Sequence, residues 1–72
     1  MKYINMSQLK KGDVFANAIS GRNRKSFKVI QVMERSILCE ERVDETFVHS
    51  RRPKHNTISI LGNVYLLKSS EN

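Results

Sequence analysis

Two clusters of basic side chains carry the most chemical potential in this chain. Arg22, Arg24, Lys25 and Lys28 crowd into seven residues, and Arg51, Arg52 and Lys54 form a second group flanked by His49 and His55. Like charges held that close repel one another, so gathering them in a loop costs free energy unless an anionic partner offsets it. Arginine's planar fork also suits bidentate contact with phosphate or carboxylate, and both clusters contain it. The chemistry implied is neutralisation of a polyanion, above all a phosphate backbone, where counterion release supplies the affinity. A solvated loop kept soluble by its charge is the plainer role open to the same residues.

Other residue types offer less. Glu40, Glu41, Asp44 and Glu45, interrupted by Arg42, could pair with a basic loop of the same chain or of a neighbouring subunit, or stand as an ordinary charged turn. Base stacking needs exposed aromatic surface, but there is no Trp, and Phe15, Phe27 and Phe47 lie among aliphatic residues that suit a core. Tyr3 and Tyr65 are open between core and surface. A binder of this make-up reads shape and backbone charge with little sequence preference, and Asn23 and Asn56 are the candidates for touching base edges.

Catalytic chemistry finds few parts. Cys39 shares a strand face with Ile37 and reads as a small buried apolar residue. A nucleophilic role would need His49 or His55 beside it, which nothing in the spacing provides. The two histidines are six apart with no matching acidic or thiol pair at metal-ligand spacing. Asp13 follows Gly12 in a turn, where aspartate commonly serves the backbone. The three glycines are scattered, so no phosphate-binding glycine loop exists. The expectation is a protein that is not an enzyme and uses no cofactor or metal.

Size and composition frame these residues. Seventy-two residues allow one domain, and a chain this short buries only about 60% of the surface its unfolded form exposes. Cys39 is the single cysteine, so no intramolecular disulfide can help, and a reducing, cytoplasmic setting is expected. The longest apolar runs, such as residues 64–67, fall far short of the about 7–15 residues of a signal peptide core or the about 20 of a membrane span. The formal charge is +6, all of it in the first half: residues 1–36 carry eight basic and two acidic groups, whereas residues 37–72 carry five of each.

The elements that must hold these groups read mostly as strands. Ser7 is placed to cap a helical turn over residues 7–11, with Leu9 as its inward anchor and Gly12 beyond its end. Strands are expected over residues 13–19, 26–33, 37–43 and 46–49, separated by polar turns. Residues 50–56 read as a loop, since Pro53 cannot donate to a ladder. Residues 57–61 and 64–67 flank Gly62-Asn63, which suits a two-residue hairpin turn pairing Leu61 with Val64 and Ile60 with Tyr65. Both faces of that hairpin would be apolar. It is therefore covered on both sides, makes an oligomer contact, or is instead a bend that carries the chain between two sheets.

This order of helical turn, strand, long loop, three meander strands and a final strand is similar to that of SH3-like barrels. The fold expected is mainly β: a small antiparallel SH3-like barrel or roll of five to six strands, one short helical turn, a domain over residues 1–68 and a flexible tail over 69–72. The expected core is Leu9, Val14, Phe15, Phe27, Val29, Ile37, Cys39, Phe47, Ile58, Ile60, Tyr65 and Leu67. Two functions fit. One is a non-enzymatic module binding DNA or RNA, its phosphates met by Arg22, Arg24, Lys25, Lys28, Arg51, Arg52 and Lys54. The other is a small adaptor or inhibitor that docks on a protein partner, or on a second copy of itself, through Val64 and Leu66 of the terminal hairpin and a sheet edge. Neither involves a membrane.

Overall fold

In the computed structural model, which describes residues 1–42 and 54–71, the chain alternates short strands with tight turns. The elements are β1 (Lys2–Asn5), a single 3-10 turn η1 (Met6–Gln8), β2 (Val14–Ala16), β3 (Ser26–Val32), β4 (Ser36–Arg42), β5 (Lys54–Ser59) and β6 (Asn63–Lys68). All six strands form one antiparallel sheet in the order β1-β6-β2-β3-β4-β5. The mainly β, antiparallel expectation holds. Among the described residues no ladder joins β1 to β5, so the sheet is open there. The expected strand over 46–49, Phe47 with it, lies outside the described residues. No helix among the described residues is long and apolar enough to cross a membrane.

One face of the sheet carries the core. Phe15 on β2 faces Phe27 on β3, with ring centroids 5.4 Å apart, and the same Phe15 is in register with Leu66 on β6. Val29, Ile37 and Cys39 continue the layer across β3 and β4, all at 1% exposure or less. Met6, the first residue of η1, and Leu9, just after it, join the core cluster, and Ile4, Ile58, Ile60 and Leu66 pack around its rim. Truncating Phe15 to Ala costs about 3–5 kcal/mol, a large share of what so small a domain has to spare.

The poor alternation of strand β3, where Val29 and Ile30 are both apolar, has a physical cause. The β3–β4 register shifts between Val29 and Gln31, so Ile30 is the extra residue of a bulge. Before the bulge Phe27 and Val29 point to the core. After it, Val32 is 43% exposed.

Several expectations are corrected. The helical turn is shorter and starts earlier, because Asn5, not Ser7, caps it: the Asn5 side chain accepts from the Ser7 amide at 2.9 Å, and the Asn5 amide donates to Gln8 Oε1 at 3.2 Å. The first long strand stops at Ala16, since Asn17 turns its side chain to the loop that follows. Strand β5 begins at Lys54, so His55 and Asn56 belong to a ladder and not to a loop. The terminal hairpin does not form. β5 pairs with β4, β6 pairs with β1 and β2, and Gly62 lies in a bend, as the alternative reading has it, but one that joins β5 to β6 within a single sheet and not between two. Gly62 has φ +81° and its carbonyl accepts from the Met6 amide at 3.0 Å, which fixes that crossing. Tyr65 and Leu67 are half-buried outside the core cluster, while Met6, Ala16 and Val64 are buried.

Asp13 ties the two ends of the chain together. Its side chain is buried and accepts from the Lys10 amide and from the Ser70 amide, each at 2.8 Å. Residues 69–71, where the tail is expected, are thus held back on the body, with Lys10 bonded to Glu71 as a second tie. Burial alone would raise the Asp13 pKa. The amides of Ser70 and Lys10, the Ser70 hydroxyl and the Lys10 charge outweigh it and hold the carboxyl below its ordinary 3.8.

A depressed folded-state pKa gives stability that is complete above 3.8 and lost as pH falls through the lower folded value. Replacing Asp13 by Ala takes the acceptor from two part-buried hydrogen bonds, those of the Lys10 and Ser70 amides, and is expected to cost about 2–3 kcal/mol at pH 7. Urea unfolding should show this gap between wild type and Asp13→Ala at pH 7, and a narrowing gap below pH 3.8. Equal stability of the two proteins at pH 7 would contradict the assignment.

Candidate functional site

The first basic cluster sits on a loop with a defined closure. Residues 17–25 leave β2 and return to β3, and Asn17 clamps the base. Its amide donates to the Lys25 carbonyl at 3.2 Å, its Nδ2 to the Asn23 carbonyl at 3.0 Å, and its Oδ1 accepts from the Lys25 amide at 2.8 Å. A turn at the tip, Arg24 amide to Gly21 carbonyl at 3.2 Å, leaves Arg22 and Arg24 exposed. Asn23, the candidate for base-edge contact, has its carbonyl committed to this clamp.

The four cations of that cluster do not share one environment. Lys25 Nζ lies 3.7 Å from Glu41 Oε1, so part of its charge is met within the molecule. Lys28 is in register with Glu40, which is in turn in register with His55. The ion pairs among the described residues are Lys25–Glu41 and Lys10–Glu71. Arg22 and Arg24 take part in neither.

The second cluster begins at the same end of the sheet. Ser26, which follows the first loop, is in register with Arg42, and Glu41 is in register with Lys54. The loop of residues 17–25 and the described end of the second cluster, Lys54, therefore lie at the same end of the strands. Arg51 and Arg52, with His49, Asp44 and Glu45, lie outside the described residues.

The outer face, opposite the core, holds residues that the basic clusters did not suggest. Tyr3 of β1 and Tyr65 of β6 are directly paired, with ring centroids 4.7 Å apart and planes tilted by 41°. Tyr3 is 61% exposed, although Ile4 beside it packs on the core. Tyr65 is in register with Ala16, and Ala16 with Ser26, so this row ends beside the loop of residues 17–25. In the neighbouring row Val14 is in register with Lys68 on one side and Lys28 on the other. Those two lysines, with Val14 and Glu40, line an open cleft of about 610 Å³. Nothing local in the sequence marks Lys68, because its neighbours Val14 and Lys28 come from distant stretches.

The remaining candidates fall elsewhere. Cys39 is fully buried, its thiol directed to the Asn56 carbonyl at 3.4 Å, and burial, helped by Glu41, pushes its pKa up. His55 is in register with Glu40 and so belongs to the opposite face from Cys39, whose partner is Asn56. No Cys39–His55 dyad is formed. Among the described residues no group of His, Cys, Asp and Glu is placed to hold a metal ion. Val64, one of the two residues expected at a docking surface, is 6% exposed and belongs to the core, and Leu66 is half-buried against it. A charge at Val64 would therefore report on folding and not on docking. No family model, curated protein or solved structure matches this chain.

The clamp gives a direct prediction. Asn17→Ala removes two of the three bonds that close the loop and should cost about 1–2 kcal/mol. Hydrogen exchange should show the Lys25 amide at the base of the loop opening faster, by a larger factor than the Val29 amide of β3. Equal protection of Lys25 in both proteins would show that Asn17 does not hold the loop.

Proposed function

We propose that this protein is a non-enzymatic module that binds nucleic acid through its phosphates. The residues that meet them are Arg22, Arg24, Lys25, Lys28, Arg51, Arg52 and Lys54. The observation that carries this reading is the shared strand end: Ser26 in register with Arg42, and Glu41 with Lys54. Cations brought to one end of the strands act on the same stretch of polyanion, so their counterion-release contributions add. Arg22 and Arg24 lead the contact, being exposed and outside the described ion pairs, while Lys25 shares its charge with Glu41. The fold reading that goes with it is an SH3-like barrel, supported by the meander β3-β4-β5 and by the return of β6 to β2. A cytoplasmic setting accords with the single, buried thiol.

Docking on a protein or on a second copy is the second reading. It draws on Leu61, 84% exposed, and on strands β1 and β5, which have one ladder neighbour each among the described residues.

Fluorescence polarisation against labelled DNA and RNA over a range of salt separates the two. Nucleic-acid binding should weaken linearly in log–log form, with a slope of about −0.9 per phosphate neutralised on duplex DNA and about −0.7 on single strands. Arg22→Ala with Arg24→Ala should lower both the affinity and the slope. Absence of any binding at low salt sinks the proposal, and concentration-dependent self-association abolished by Leu61→Lys would favour the second reading.

A further inference from the structure

The outer face offers what the basic loops lack, a place for bases. We infer that the nucleic acid bound is single-stranded, with a base stacked on the Tyr3–Tyr65 pair. This rests on the proposal that the same molecule binds phosphates, and it adds the class of strand.

Three features of the face support it. An aromatic pair with one ring exposed and the other half-buried beside it is a stacking surface with no sequence preference, because every base has a π-face. Tyr3 is 61% exposed, because strand alternation that sends Ile4 to the core sets Tyr3 on the outer face. The pair also has cations on both sides. On one side the row Tyr65, Ala16, Ser26 runs to the base of the loop that carries Arg22 and Arg24. On the other, Lys68 follows Tyr65 by three residues, about 10 Å along a strand, and lines a cleft with Lys28.

A duplex could use the charges but not the rings, since its bases are stacked on one another and their faces are hidden. A single strand can place phosphates at the arginine loop and at the lysine pair, and lay an intervening base on the tyrosines. The alternation of charge, ring and charge is complementary to phosphate, base and phosphate. Glu40, at the far wall of the cleft, sets a limit to the strand's path on that side.

The chain has two tyrosines and no tryptophan, so its intrinsic emission comes from this pair alone. Titration with oligo(dT) and oligo(U) should quench that emission, while inorganic polyphosphate should compete for binding without quenching. Tyr3→Ala should weaken single-strand binding by about tenfold, leave polyphosphate and duplex binding unchanged, and keep the far-ultraviolet circular dichroism of wild type. Tyr3→Phe should restore the lost affinity. The deoxy and ribo oligomers, run side by side, tell which backbone is preferred. Full single-strand affinity in Tyr3→Ala, or duplex bound more tightly than either single strand, overturns the inference while leaving phosphate binding standing. Binding of no polyanion by wild type overturns both.

Discussion

The return of β6 to a place between β1 and β2 is the constraint on which the rest of this molecule depends. It joins residues some 60 positions apart: Tyr3 to Tyr65, Asn5 to Asn63, Asp13 to Ser70. Closing so long a loop costs entropy, though that cost grows only slowly with length. What offsets it is the burial of Val64 and Leu66 against Ile4 and Phe15, plus ladder bonds on both sides of the strand. The bend at Gly62 makes the crossing sterically possible, since a φ of +81° is strained for a residue with a Cβ.

Two functions of the sheet follow from that one placement. On the core face, β6 supplies the wall that lets a chain without disulfides enclose Phe15, which has neighbours in register on both sides. On the outer face, it sets Tyr65 beside Tyr3 and Lys68 within reach of Lys28. The apolar character of residues 64–67 on both faces thus has a local explanation. The strand is interior to the sheet, and Tyr65 and Leu67 are half-buried on the side away from the core.

What was legible in the sequence was local. The strands β3 and β4 are read nearly to their ends because β-branched and aromatic residues concentrate there, and Cys39 is placed in the core by its spacing from Ile37. Asp13 in a turn after Gly12 is likewise read from its neighbours alone. The terminal hairpin was misread for the opposite reason. Gly62-Asn63 between two apolar runs favours a two-residue turn on local grounds, and only the non-local pairing of β6 with β1 and β2 decides otherwise. The bulge at Ile30 blurred the parity of β3 in the same way, since a bulge appears only once a partner strand is in register. For the candidate site, the basic loop around Arg22 and Arg24 was visible in composition. The tyrosine pair and Lys68 were not, because each needs a partner from another strand.

The count of basic residues overstates what the surface can offer a ligand. The 13 Lys and Arg of the chain include Lys25, 3.7 Å from Glu41, and Lys28, in register with Glu40. Such pairs are exposed and individually weak, yet each lowers the local potential that a phosphate would feel. Among the described residues of the first cluster, the cations with no acidic partner in an ion pair or in register are Arg22 and Arg24, and charge alone holds a polyanion without preference for its form. Stacking is not screened by salt in this way, and one base on an aromatic side chain is worth about 1–3 kcal/mol. That is comparable to the contribution of several exposed ion pairs. If this sheet binds nucleic acid as proposed, it can discriminate between forms of it although part of its charge is met internally, provided that the discrimination resides in Tyr3 and Tyr65 and not in the basic loops.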